Sequence, residues 1–410
     1  MKSAHARSAL AFCCLLVAIQ FATACAMPPT GIPASGTVYG QTVETRVDSE
    51  LAAYYLEHFG DWRQSDSEQA HRLAELAPCS AESLDRDALR QLSMRTSVDV
   101  AGLYAAQCLM ESNRSLGREF DRTFMKIQAL ARPAAARSEG LLDEAMDLAV
   151  VVVPGWDYLE SGPITGADFA RQLRQFNELG IASYRIPIDP HGGVEENAVV
   201  IRSEIARLSE QHQDIILVSA SSGSPAAALA LGDPSAHQGV AHVRAWLNLG
   251  GILGGMRLID TFSNGPGSLV LRAYAFLNGW DMDDIESMSA VRSHARLATT
   301  MLPRDLVVIN YIGIPFSGDI SSRVSFFYSQ LREHGPNDGL TLVTDPVLPG
   351  THTIVALGQD HFFADDPELE SRTLALTAVV GRAVVRKREE AAHARAIERK
   401  SQRLAQLKRP

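Results

Sequence analysis

The chain has 410 residues, 46% of them apolar and 21% charged, and a formal net charge of −10. That length can bury a large core, and the composition is that of an ordinary globular protein. The acidic balance argues against nucleic acid as the main partner.

The first elements concern export. The stretch MKSAHARSALAFCCLLVAIQFATACAMPP carries Lys2 and Arg7, then an apolar run from about Ala9 to Ala22, then small residues. It reads as a signal peptide over 1–24, too short and wrongly flanked for a spanning helix. The run ATAC resembles the lipobox of bacterial lipoproteins, which makes Cys25 the candidate for lipidation. Ordinary cleavage after Ala24 or Ala26 is the alternative. Cys13 and Cys14 leave with the signal. With Cys25 lipidated, Cys79 and Cys108 remain as an even pair in an oxidising compartment, where a disulfide is expected; two buried free thiols are the alternative.

Residues 25–46, rich in Pro and Gly at their start, read as a tether. From there to about residue 140 the pattern is helical. ELAAYYLEHF and FDRTFMKIQALA space their apolar residues three and four apart, and no strand signal appears. Near Leu148 the pattern changes. LAVVVVPG is a continuous apolar run, as in a strand buried on both faces. A helix follows, with Phe169, Leu173, Phe176 and Leu179 on one face and Gly180 as its stop. IASYRIPID, DIILVSA, VRAWLNLGG, DLVVINYIGIPF and HTIVALG continue as strands. Between the early strands lie helices, one with Ile201, Ile205 and Leu208 on its buried stripe, another beginning at PAAALALG. Such alternation predicts a mostly parallel sheet flanked by helices, whose sites gather at the C-terminal ends of the strands.

At one such end, SASSGS puts four serines and one glycine within six residues. The frame Ser219, Ala220, Ser221, Ser222, Gly223 between a strand and a helix resembles the nucleophile elbow of the α/β-hydrolase family. The resemblance covers roughly residues 148–382. It implies Ser221 as nucleophile, with Ser222 and Ser224 as competing frames, and an oxyanion site made of the Ser222 and Trp156 backbone N–H groups. Gly155 in VVVVPGWDY would let that second donor approach. Ser219 and Pro154 stand where relatives carry Gly and His. Serines in such a turn also serve as plain helix caps.

A serine needs a base and an orienting acid, and in this family the order is Ser, Asp or Glu, His. Of the late histidines His334, His352 and His361, the last follows the final strand, where the family places its base. For the acid, Asp319 in IPFSGDISS occupies the usual position after the fifth strand. Asp338 in HGPNDGLTL resembles the NDG aspartate of bacterial secreted triacylglycerol lipases, 23 residues before His361. GPNDG also reads as a simple turn. Asp360 is expected to point away from its neighbour. Residues 252–301, about fifty between two strands, read as an inserted cap.

From Arg382 to Pro410 the chain has ten Lys and Arg against three Glu and reads as an exposed basic helical tail, suited to anionic lipid or another polyanion. No metal-ligand pattern and no phosphate-binding glycine loop appears, so no cofactor is expected. Together these features predict an exported, envelope-associated or secreted serine hydrolase acting on a small-molecule or lipid ester. The alternatives are an amide or thioester hydrolase, and a non-catalytic envelope protein that keeps the fold.

Overall fold

The computed structural model describes residues 31–80, 84–233, 237–264, 267–363 and 366–407. The signal segment and Cys25 lie outside these residues.

Six strands form one sheet: β3 (Ala149–Val153), β4 (Ser183–Arg185), β5 (Ile215–Ala220), β6 (Val243–Leu249), β7 (Val307–Ile314) and β8 (His352–Leu357). Their order is β4-β3-β5-β6-β7-β8, and every pairing is parallel. Because side chains alternate across a strand, an unbroken apolar run buries both faces. Val150 and Val152 enter one core with Ile216, Val218 and Leu247; Ala149, Val151 and Val153 enter the other with Leu217 and Trp246. This is the mostly parallel, helix-flanked sheet that the sequence predicts.

The helices are α1 (Glu50–Glu57), α2 (Glu68–Ala74), α3 (Arg86–Arg95), α4 (Val98–Ser112) and α5 (Arg114–Gln128) before the sheet. Within it come α6 (Ala170–Leu179), α7 (Val194–Ser209), α8 (Gly223–Gly232), the inserted α9 (Arg257–Ser263), α10 (Ser268–Asn278), α11 (Met282–Ser287) and α12 (Ala290–Leu297), then α13 (Ser325–Leu331) and α14 (Leu369–Leu407). Helices α5, α6 and α14 cover one face, and α7 and α8 the other.

Two boundaries differ from the sequence reading. Much of the expected tether is an antiparallel hairpin, β1 (Ile32–Val38) and β2 (Gln41–Val47). Its two-residue loop, Tyr39–Gly40, has φ of 49° and 89°, as a type I′ turn requires. One face of the hairpin packs on α1: a Cβ on Gly36 would stand 2.0 Å from the Leu56 carbonyl oxygen. The basic tail is likewise no separate unit. It continues α14, which starts at Leu369, and Ala383 and Val384 are buried in the sheet core; the stretch Arg386–Ile397 is mostly exposed.

The N-terminal helices pack on the sheet through Ile312, Ile314 and Val355, around a nearly fully buried α4. Cys79 and Cys108 are joined by a disulfide across 29 residues, their Cα atoms 5.0 Å apart. Such a link typically stabilises by about 2–4 kcal/mol. A carboxylate links this region to the sheet: Asp99 accepts hydrogen bonds from the Ser317 N–H (3.0 Å), the Ser317 hydroxyl (2.9 Å) and the Asp48 N–H (2.7 Å).

Candidate active site

Ser221 stands between β5 and α8 with φ of +48°. A non-glycine residue there costs on the order of 1–3 kcal/mol and persists only where its surroundings fix it. Here the Ser221 N–H donates to the Leu249 carbonyl (3.2 Å), while its own carbonyl accepts from Ser224 (3.1 Å) and Ile252 (3.3 Å). Gly223 allows the tight turn. A Cβ at that position would stand 2.3 Å from the Pro154 carbonyl oxygen.

Ser219 is fully buried. Its Oγ accepts the Trp246 indole N–H (2.8 Å) and shares a hydrogen bond with the Ser224 hydroxyl (2.9 Å). This bond also occupies Ser224, so one of the two competing serines of the run is turned into the core. Nothing in the local sequence signals the part played by Trp246, because its pairing with Ser219 comes from the register of β5 against β6.

His361 follows β8. Its Nε2 lies 2.9 Å from Ser221 Oγ and its Nδ1 2.8 Å from Asp338 Oδ2. The His361 and Asp338 side chains are 2% and 4% exposed. With Nδ1–H donating to the carboxylate, Nε2 is left to accept the serine hydroxyl proton. Asp338 is held twice more, its Oδ1 accepting from the Leu340 (2.9 Å) and Thr341 (2.8 Å) N–H groups. NDG is therefore a turn that also carries the carboxylate facing His361. Its backbone is pinned by Gly339, at φ of +100°, where a Cβ would stand 2.5 Å from Val324.

Asp319 does not join this group; its carboxylate accepts from the Thr45 hydroxyl at the hairpin. Asp360 accepts from the Ser321 and Phe362 N–H groups, both at 3.1 Å. His352 and His334 also lie away from Ser221, on β8 and in the turn after α13.

Gly155 packs against Ser221: a Cβ there would stand 3.4 Å from that of the serine. The Trp156 and Ser222 backbone N–H groups donate no hydrogen bond among the described residues. Ser222 also opens α8, where the helix N-terminus favours negative charge.

A cavity of about 490 Å³ passes Ser221 and His361. On one side it is walled by the inserted segment, with Met256, Ile259, Leu271, Tyr274, Trp280, Ile285 and Met288. On the other it runs between α6 and α14, past Phe169, Phe176, Leu369 and Leu376. The charged pair Asp366–Arg372 (2.6 Å) lies in this inner wall. The sequence alone does not single out Trp280, which lies far from the motifs, or Arg372 in the helix after His361.

No protein-family model and no curated protein matches the chain. Among solved structures, a metagenomic carboxyl esterase is 20% identical over 58% of this chain and 75% of that one, with a TM-score of 0.47. A Bacillus licheniformis lipase in its mature form is 24% identical over 53% and 86%, at 0.43. A tributyrin phosphonate-inhibited esterase B from Lactobacillus rhamnosis is 13% identical over 60% and 79%, at 0.36. With the strand order, the turn between β5 and α8, and Asp and His following in that order, the architecture is the α/β-hydrolase fold.

Proposed function

We propose that the protein is an exported serine hydrolase that cleaves a carboxylic ester. The observation that carries this is the chain of contacts from Ser221 Oγ through His361 to Asp338, with Ser221 in a strained turn at the end of a central strand.

In this reading Ser221 Oγ attacks the acyl carbon as its proton passes to His361 Nε2. The carbonyl oxygen takes up negative charge and accepts hydrogen bonds from the Trp156 and Ser222 N–H groups. Asp338 stabilises the imidazolium. The tetrahedral adduct then expels the alkoxide, His361 returns the proton to it, and the acyl group stays on Ser221. Water, deprotonated by the same nitrogen, attacks the acyl carbon; the bond to Ser221 Oγ breaks, His361 returns the proton to Oγ, and the acid leaves. The apolar lining of the cavity suits an acyl chain. Export through the N-terminal segment, lipid on Cys25 and attraction of the basic end of α14 to anionic lipid belong to the same proposal, as do a small-molecule or lipid ester as substrate and no cofactor.

The test is fluorophosphonate labelling of the purified protein with p-nitrophenyl esters of rising chain length. Labelling and turnover should both vanish in Ser221→Ala. Equal labelling of that variant, or loss in Ser222→Ala alone, defeats the assignment. Mass spectrometry of the mature N-terminus decides Cys25: an unmodified start there or at Met27 sinks the lipoprotein reading.

A further inference from the structure

At the outer side of the cavity four rings meet. Trp280 stands at 88° to Trp156 with centroids 5.5 Å apart, and at 81° to Tyr274 with centroids 5.4 Å apart. The His191 ring lies behind them, 5.1 Å from Trp280 and 5.3 Å from Trp156. Trp156, Tyr274, Trp280 and Asp157 all line the cavity. Rings held at right angles turn their faces in different directions, and each face carries the negative end of the ring quadrupole.

Asp157 adds a full charge. It has φ of +53°, the left-handed region again. Its N–H donates to the Pro190 carbonyl (2.9 Å) and its Oδ1 meets His191 Nε2 at 2.9 Å. Oδ2 takes no hydrogen bond among the described residues, and the side chain is 21% exposed. Of the cavity's other charged groups, Arg372 is paired with Asp366, and Asp338 is turned to His361 away from this corner. The His191 ring meets only Oδ1, so Oδ2 stays beside the rings with no donor among the described residues. The neighbouring hydroxyls of Ser161 and Thr165 donate to the Asp157 and Ser161 carbonyls, so they are not free to grip a polyol.

We infer that this corner binds an organic ammonium group on the alcohol side of the ester. An ammonium needs no hydrogen-bond acceptor to be held by ring faces, and a nearby carboxylate adds to the attraction. The alcohol side follows from the order of release. The acyl group remains on Ser221 while the alcohol departs, so the alcohol occupies the side open to solvent. Trp156, Tyr274 and Trp280 are partly exposed there, whereas Phe169, Phe176 and Leu376 in the inner arm are buried.

This inference rests on the ester-hydrolase reading, and the experiment separates the two. Butyrylcholine is compared with 3,3-dimethylbutyl butyrate, which has the same shape with carbon in place of the charged nitrogen. The expected kcat/KM ratio favours the choline ester by about tenfold or more. Asp157→Asn and Trp280→Leu should each bring the ratio toward one. The ratio is the readout because a displaced Trp156 loop would slow both esters alike. Equal rates in the native protein, a preference for the neutral ester, or faster cleavage of an acetylated sugar than of either would overturn the inference. Should no ester, p-nitrophenyl butyrate included, be cleaved, the hydrolase reading fails by itself. Tetramethylammonium binding to Ser221→Ala, followed by tryptophan fluorescence, then reads the corner alone. Saturable quenching that is lost on adding Trp280→Leu supports the inference, and its absence rejects it.

Discussion

Two buried carboxylates in this molecule look alike by exposure and differ in almost everything else. Asp338 and Asp99 are 3% and 2% exposed. Asp338 faces the imidazole of His361 and receives two backbone N–H groups from its own turn. Asp99 has no cation against it among the described residues; it receives Ser317 and the backbone of Asp48, whose own carboxylate meets Arg332 at 3.3 Å. Burial first, and then the Asp48 charge, push its pKa up to about 7. Burial alone therefore does not mark a working carboxylate. What marks Asp338 is a partner whose charge would change during a reaction.

The comparison breaks most visibly at Asp338. Asp338→Asn should lower ester turnover by up to roughly 10⁴-fold with the fold intact by circular dichroism, because the amide leaves the imidazolium unpaired and favours the wrong tautomer. Ser219→Gly should act on stability instead. The Trp246 N–H is left buried without an acceptor, at a cost of about 1–3 kcal/mol, seen as an earlier denaturant midpoint with turnover changed only a few-fold.

Asp99→Asn sharpens the other side. A carboxyl whose pKa rises on folding keeps a proton that the unfolded chain has released. Its contribution to stability is full below about pH 4 and is lost as pH rises through about 7. Tm of the native chain minus that of Asp99→Asn should therefore fall between pH 4 and pH 8, on the order of 2–4 °C for each ~1 kcal/mol. An unchanged difference would mean that Asp99 is ionised throughout. Asp319→Asn should do least: its exposed bond to Thr45 is worth little, and turnover stays within about tenfold of native. A dead Asp319→Asn beside an active Asp338→Asn would reverse the assignment of the acid.

Much of the fold is legible in the sequence because a parallel sheet demands continuous apolar runs, and AVVVV, IILV and VVINYIGI offer little else. Ser221 stands out because an elbow needs small residues at fixed offsets, and Gly223 has no room for a Cβ. The hairpin at Ile32–Val47 is hidden by Pro33 and by strands whose outward residues are polar and exposed, so that only the Tyr39–Gly40 turn marks it. The Ser219–Trp246 bond and the Trp156–Trp280 corner are not legible at all. Each joins residues of different elements, and no local spacing encodes the register or the helix placement that brings them together.

Helix α14 is a wall at one end and a lever at the other. Thr373, Leu376 and Thr377 face the cavity, and the same helix continues unbroken to Leu407. After Gly381 it holds no glycine or proline that would give it a hinge. At about 1.5 Å per residue, the part beyond Arg386 reaches on the order of 30 Å. If the basic end is anchored as proposed, a load on it reaches the cavity wall through one continuous helix, past Gly381, and bears on the slot proposed for the acyl chain.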